Sequence, residues 1–167
     1  MKKLFLLLSI LMLVGIQSFS QGVSIFIGAS TNENIIYGAE FKSKTIGGYV
    51  ERYGCEKDYP KYVLPPNQLN RPAPDNVLYD GIMLGGNVHV KSIGNILLSA
   101  GIGILTEYTI YEGLENSMDV SQKFAMEFAA GKDFNATDRI IIGIRGGVNN
   151  CTNLFGTISI GFNFKNL

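Results

Sequence analysis

The stretch NILLSAGIGILTEYTI, residues 95–110, decides how the rest of this sequence is interpreted. Every second position from Ile96 to Ile104 is apolar, whereas the positions between them include Ser99 and Gly101. Successive side chains of a strand point to opposite faces, so this period of two predicts a strand with one apolar face. A soluble protein would bury that face, whereas a membrane barrel would turn it outward.

Seven further runs of alternating residues, separated by turn residues, extend this pattern through the chain. The eight predicted strands cover residues 22–30, 35–43, 44–53, 77–91, 95–108, 121–133, 138–148 and 153–164. All five prolines lie in the segment 54–76, which is predicted to be a loop because proline cannot donate to a sheet. A second long loop is predicted at 109–120. An up-and-down meander places both long loops at one end, as in outer-membrane barrels. The predicted fold is all-β, an eight-stranded antiparallel up-and-down transmembrane β-barrel.

The two faces of the predicted strands differ in charge. When the phase of each strand is chosen to group apolar residues, the apolar runs that this collects, such as Ile96–Ile104, Phe124–Ala130 and Ile140–Ile144, have no charged residue on that face. The charged residues of the opposite face are Glu40, Lys42, Glu51, Lys123, Glu127 and Arg145. The opposite face is also rich in glycine, which suits the narrow interior of an eight-stranded barrel better than a solvent-exposed surface.

We therefore expect the apolar face to contact lipid and the charged residues to form an interior network. Buried charges need partners, so the glutamates Glu40, Glu51 and Glu127 are expected to pair with the lysines and with Arg145. Counting from a turn near Asn135 places Glu127 opposite Arg145 on the neighbouring strand.

The first twenty residues have the pattern of a secretory signal peptide. Two lysines precede an apolar stretch at 4–16, and small residues stand at Ser18 and Ser20, the positions that a signal peptidase reads. We expect residues 1–20 to be removed and residues 21–167 to form one barrel domain. Loss of the two lysines leaves a net charge of −2 with no basic patch, which argues against nucleic acid as a partner.

The end of the chain carries a family resemblance. The last predicted strand contains TISIGFNF, residues 157–164, in which isoleucine and phenylalanine alternate up to Phe164. With this strand the chain resembles the small eight-stranded outer-membrane β-barrels of Gram-negative bacteria, of the OmpX-like and OmpA-barrel type. Gln21 at the predicted mature N-terminus is similar to that of exported Bacteroidota proteins. The resemblance implies a location in the cell outer membrane, with outer-membrane lipid and the barrel-assembly machinery as partners. It implies no site residue.

The single histidine, His89, is the residue that suggests an enzyme. Some outer-membrane barrels that modify lipid A use a histidine with a nearby serine and an acidic residue, and here Ser92 follows His89 in the sequence HVKS. The two residues differ in strand parity, and His89 belongs to the predicted interior face, which lipid does not reach. We therefore expect a structural histidine, and we predict no catalytic residue, cofactor or metal.

The loops contain two candidate sites. Cys55 and Cys151 are the only cysteines, and an even number in an exported chain suggests a disulfide, with two free thiols as the alternative. The proline-rich loop carries residue types common in recognition surfaces: Tyr59, Tyr62 and Arg71. An unknown surface ligand or protein is therefore a predicted partner, and an exposed variable loop is the alternative.

Three functions are compatible with these patterns. The favoured one is an integral outer-membrane β-barrel with a plugged polar interior, whose surface loops serve binding, adhesion or envelope integrity. The alternatives are a secreted soluble β-barrel that carries a small apolar ligand, and a lipid-modifying enzyme embedded in the barrel.

Overall fold

Nine strands make up the secondary structure of the part of the chain that the structure describes. The computed structural model describes residues 22–43, 45–54, 62–63, 74–90, 96–111 and 117–164. The strands are β1 (Gly22–Ser30), β2 (Ile35–Lys42), β3 (Ile46–Gly54), β4 (Tyr62–Val63), β5 (Pro74–Val90), β6 (Ile96–Tyr111), β7 (Ser117–Asn135), β8 (Ile140–Asn149) and β9 (Asn153–Asn163). Each of the eight predicted runs corresponds to one long strand, and β4 is a short addition. Among the described residues, no helix is long and apolar enough to cross a membrane. The predicted signal peptide lies outside these residues.

The eight long strands form a closed antiparallel barrel. Each long strand pairs with the next one along the chain, and β1 pairs with β9 over its whole length to close the sheet. The predicted eight-stranded up-and-down barrel is therefore confirmed. The two-residue β4 lies outside the ring and pairs in parallel with Ser117 and Met118 at the start of β7.

The meander gives the barrel two different ends. At the end that we call the terminal end, β1 begins, β9 ends, and the strand ends that residues 43–45, 91–95 and 136–139 connect lie side by side. At the other, which we call the loop end, lie the strand ends that residues 31–34, 55–73, 112–116 and 150–152 connect. Both segments predicted as long loops therefore connect strands at the same end.

The apolar face of the barrel points outward. Ile102, in the middle of β6, is 57 % exposed, whereas its inward neighbour Ser99 is 6 % exposed. The same holds for the other long strands, whose exposed apolar residues include Ile25, Phe41, Val50, Leu84, Phe128, Ile144 and Ile160. A soluble barrel needs the reverse arrangement, so the alternative of a secreted carrier with an apolar interior does not fit this surface.

Three strands continue beyond the barrel wall at the loop end. The last pair between β3 and β5 is Tyr53 with Gly81, and the last pair between β7 and β8 is Glu127 with Asn149. The strands β5, β6 and β7 nevertheless remain paired almost to their ends. We call this three-stranded extension, residues 74–80, 105–111 and 117–126, the projection.

The projection corrects the predicted loop boundaries. Most of the predicted loop 109–120 is strand, because β6 runs to Tyr111 and β7 begins at Ser117. The tyrosine, threonine and isoleucine residues there favour strands and find cross-strand partners. The predicted loop 54–76 likewise ends earlier than expected, since β5 begins at Pro74, and proline is tolerated at the first position of a strand.

The register between β7 and β8 also differs from the prediction. Glu127 lies opposite Asn149, and Arg145 lies opposite Gly131, so the predicted Glu127–Arg145 cross-strand pair is wrong. The hairpin turns later than expected, over residues 136–139, because the Thr137 hydroxyl accepts the backbone N–H of Ile140 and fixes the turn there.

Candidate functional site

Side chains fill the barrel interior. The ring of Tyr49 lies so close to Gly85 that a Cβ at Gly85 would be 2.1 Å from the ring carbon Cζ. A Cβ at Gly101 would come within 2.5 Å of the Tyr49 hydroxyl, so two inward glycines make room for one tyrosine. A cavity beside Arg145 and Asp133 has a volume of about 10 Å³, close to the space that one water needs.

A group of five residues, which we call the central cluster, crosses the middle of the barrel. Its members are Tyr49, Glu51, Tyr53, Glu127 and Arg145, and all are buried. Arg145 Nη2 lies 2.7 Å from Glu51 Oε2. The hydroxyl groups of Tyr49 and Tyr53 both donate to the carboxylate of Glu127. The cluster therefore connects β3 with β7 and β8 through the interior.

Aromatic rings hold the guanidinium of Arg145 in place. Its Cζ lies 4.8 Å from the centre of the Phe26 ring and 4.5 Å from that of Tyr49. The ring of Phe155 is 5.8 Å away. Contacts of this kind attract a cation to the ring faces, and they leave the planar fork of arginine free to meet a carboxylate.

A second group, the terminal-end cluster, crosses the barrel near the chain termini. Lys42 Nζ lies 2.6 Å from Glu40 Oε1 and 2.7 Å from Asp133 Oδ1. His89 Nε2 is 3.0 Å from the other oxygen of Asp133, and the Asn87 side chain donates to Glu40. These contacts join β2, β5 and β7, so Lys42 and Asp133 link non-adjacent strands across the interior.

The structure thus places the predicted interior charges as follows. Glu40, Glu51, Glu127 and Arg145 are all buried and inward, but Glu127 is bound by two tyrosines instead of a lysine. The expected interior pairing of Lys123 is wrong, because its Nζ lies 3.5 Å from Glu107 in the projection and is half exposed there.

Sequence reasoning missed the carboxylate of the terminal-end cluster and the role of the two tyrosines as partners of Glu127. Asp133 has the same strand parity as the inward Glu127, so the alternation of β7 was sufficient to find it. Tyr49 and Tyr53 likewise share the parity of the inward Glu51, but parity alone does not reveal that both bind Glu127.

The predicted loop sites lie largely outside the described residues. This applies to Cys55, Tyr59 and Arg71, whereas Tyr62 lies in the short strand β4. Cys151 is half-buried, and the candidate disulfide stays a prediction because Cys55 lies outside the described residues. Burial raises the pKa of the Cys151 thiol, and the nearby negative charge of Glu107 adds to the effect.

The edges of the projection are capped by asparagines from the short links. The Asn34 side chain accepts the backbone N–H of Tyr79 at 2.9 Å, on the side where β3 has ended. The Asn150 side chain accepts the backbone N–H of Met126 at 2.7 Å and donates to the carbonyl of Phe124. Inside the projection, the Tyr79 hydroxyl donates to Glu107.

A polar groove opens beside the projection. It has a volume of about 300 Å³, and its lining residues are Thr31, Asn32, Glu33, Pro74, Asn76 and Val77. Glu33 has a φ of 59°, a left-handed conformation that is uncommon for a residue with a side chain. The groove lies at the loop end against the edge of β5.

Comparisons with known proteins support the fold. No protein-family model and no curated protein matches the chain. The N-terminal β-barrel domain of Pseudomonas aeruginosa OprF is similar in structure, with a TM-score of 0.55 and 13 % sequence identity over 87 % of this chain and 99 % of that one. At this identity the likeness shows the same barrel fold.

Two further solved structures align over most of their length. The de novo designed TMB2.3 has a TM-score of 0.44 and 11 % identity, covering 88 % of this chain and 95 % of that one. Neisserial surface protein A (NspA) has a TM-score of 0.40 and 12 % identity, covering 84 % of this chain and 91 % of that one.

Proposed function

We propose that this chain is an integral outer-membrane β-barrel protein with a plugged interior, which presents its projection and loops for binding at the cell surface. The observation that carries the proposal is a closed barrel with isoleucine, leucine, valine and phenylalanine outside and paired charges inside. Closure leaves no barrel strand edge facing hydrocarbon, which is the condition for a sheet to span a bilayer.

The height of the outward apolar band supports a membrane span. On β6 the band runs from Ile96 to Ile104, close to the 9–11 residues of a spanning strand. Outside the band, polar residues return on the same face. At the loop end Arg52 pairs with Asp80 at 3.4 Å, and on β7 Lys132 follows Ala130.

The filled interior supports a structural or binding role over transport. The central cluster and the terminal-end cluster both cross the interior, and the cavity near Arg145 holds about one water. His89 faces this interior and contacts Asp133, so it is separated from lipid by the barrel wall. Neither passage of solutes nor lipid chemistry at His89 is expected from this arrangement.

The loop end is the proposed binding surface. It carries the projection, the polar groove beside Glu33 and the proline-rich segment predicted from sequence. In the proposed orientation both chain termini are periplasmic and the loop end is external. Surface binding or adhesion would then use backbone and side chains that water can solvate when no partner is present.

Membrane extraction tests the proposal directly. The protein should remain in the membrane pellet after washing with alkaline carbonate or urea and should enter the supernatant only with detergent. Purified protein should refold in detergent micelles, seen as faster gel migration of the unheated sample. Refolding into plain buffer as a monodisperse protein would overturn the membrane assignment.

A further inference from the structure

The outer surface near the terminal end contains an apolar groove across β1, β8 and β9. Its volume is about 520 Å³, and its lining residues are Val23, Ser24, Ile25, Ile140, Ile160, Gly161, Phe162 and Phe164. Phe162 lies between Val23 and Ile140 in the sheet, and Ile160 lies beside Ile25. The floor of the groove passes over Ser24 and Gly161, which point inward and leave no side chain on the outer surface.

Two cations lie on the elements next to this groove, one on the neighbouring strand β7 and one in the turn before β8. Lys132 is exposed on the apolar face of β7, and its Nζ lies 5.7 Å from the ring centre of Phe134, two residues nearer the terminal end. The side chain therefore runs along the strand toward the membrane boundary, as lysines do at the edge of a bilayer. Arg139 directly precedes the groove residue Ile140, and its carbonyl accepts the backbone N–H of Asn163.

The cations have little protein charge to compensate them. Lys132 forms no ion pair with any residue that the structure describes, and its contact is the Phe134 ring. Asp133, directly after Lys132, pairs with Lys42 and His89 in the barrel interior, and Asp138 lies in the same turn as Arg139. The turn together with Lys132 therefore keeps an excess positive charge on the outside. An anion that arrives with apolar chains complements this combination.

We propose that this surface binds one anionic phospholipid of the leaflet at the terminal end. An acyl chain occupies the groove, and the phosphate contacts Lys132 and Arg139. Phe134 pairs with Ile142, which pairs with Ile160 of the groove, so one apolar row of the sheet connects the cation on β7 with the groove on β9. The inference rests on the proposed membrane location and adds a specific site to it.

A phospholipid fits better than a protein strand as the occupant. Strands β1, β8 and β9 are paired on both sides at this end, so they offer no free edge to a second chain. The groove is almost wholly apolar, which excludes a polar ligand within it. An apolar groove with a cation nearby is complementary in shape and charge to an acyl chain that carries a phosphate.

Native mass spectrometry of the refolded barrel in a neutral detergent tests the site. The probes are phosphatidylglycerol, the uncharged diacylglycerol and inorganic phosphate, each added separately. We expect one molecule of phosphatidylglycerol to be retained, with weaker retention of diacylglycerol and none of phosphate alone. Retention of phosphate alone would show a simple anion site and overturn the proposal, as would equal retention of the two lipids.

Three variants separate charge from groove. Lys132→Gln combined with Arg139→Gln should lower the affinity for phosphatidylglycerol about fivefold for each cation removed and leave diacylglycerol unchanged. Val23→Phe, which narrows the groove, should weaken the binding of both lipids. The matched control is Arg52→Gln, which removes a cation at the opposite edge of the apolar band. It should leave the binding of both lipids unchanged.

The membrane location and the phospholipid site are tested by different readouts. Each sample is first checked for heat-modifiable migration, which reports a folded barrel. A wild-type chain that does not fold in detergent contradicts the proposed function, whereas a folded chain whose lipid retention is unaffected by the double variant contradicts the phospholipid site alone.

Discussion

At the scale of single residues, the interior depends on a few charges that compensate one another. Glu51 is 1 % exposed and forms an ion pair with Arg145. Three aromatic rings hold the Arg145 guanidinium in position. Breaking a buried pair leaves one charge without a partner, and the cost exceeds what the intact pair contributes. Surface pairs such as Arg52 with Asp80 carry no such penalty.

Arg145→Ala should therefore destabilise the barrel by about 3–5 kcal/mol. The measurement is urea unfolding in detergent micelles, and Arg52→Ala, which breaks the exposed pair, should cost no more than about 1 kcal/mol. Adding Glu51→Gln to Arg145→Ala should recover part of the loss, since it removes the stranded charge. Equal stabilities of the two single variants would argue against the central cluster as a buried ion pair.

The adjacent glycines of β5 offer a second comparison at this scale. A Cβ on the inward Gly85 would meet the Tyr49 ring at 2.1 Å, whereas a Cβ on the outward Gly86 would meet only a backbone oxygen at 3.7 Å. Gly85→Ala should cost about 1–3 kcal/mol through overpacking, and Gly86→Ala should be close to neutral. Unfolding midpoints of the two variants decide this, and the reverse order would mean that the faces of β5 are exchanged.

At the scale of elements, the position of a residue along the apolar band determines how much a charge introduced there destabilises the barrel. Ile102 and Thr106 lie on the same outward face of β6, but Ile102 is in the middle of the apolar band and Thr106 lies at its loop-end edge. The same substitution at the two positions therefore samples two depths in the bilayer.

Ile102→Arg should destabilise the folded barrel in lipid by about 2–4 kcal/mol, and Thr106→Arg by about 1 kcal/mol or less. Unfolding of both variants in phospholipid vesicles measures the difference. If the two variants lose the same stability, the apolar band does not lie in the hydrocarbon core.

The outer part of the projection lies beyond the strand pairs that close the barrel. Thr106 and Gln122 are direct partners, so residues 107–121 can be replaced by an Asn-Gly turn without a change of register. We expect the shortened chain to keep its heat-modifiable migration, because the pairs that close the barrel lie below this point. Loss of the folded band in the shortened chain would show that the projection is part of the folding unit.

At the scale of the whole molecule, topology assigns each link to one end of the barrel. Cys151 lies in the link between β8 and β9 at the loop end, and its pKa is raised by burial. A thiol with a raised pKa has less reactive thiolate at neutral pH, so its reaction rate continues to increase as the pH rises.

In a Cys55→Ser background, a membrane-impermeant maleimide should label Cys151 in intact cells, slowly at neutral pH and faster as the pH is raised. The control introduces Ala136→Cys, an exposed position at the terminal end, into a chain that also carries Cys55→Ser and Cys151→Ser. The control should react only after the outer membrane is opened. The opposite pattern would invert the proposed orientation.

The sequence alone was sufficient for the strands, their order and the direction of each face. A strand alternates with a period of two, so the parity of Ile102 and Ser99 fixes which residues share a face. The absence of charge from the middle of one face then indicates that this face points outward, because an isolated charge in lipid is costly. These properties are local along the chain and need no knowledge of distant contacts.

Only the tertiary structure decided which interior groups meet. The partner of a buried charge depends on the register of several strands and on the diameter of the closed sheet. The turn of the β7–β8 hairpin was predicted too early in the sequence, so Arg145 was expected opposite Glu127, whereas it lies opposite Gly131. The pairs between Lys42 and Asp133 and between Arg145 and Glu51 cross the interior between non-adjacent strands. Pairing across the interior has no period along the sequence, so it becomes defined only when the barrel closes.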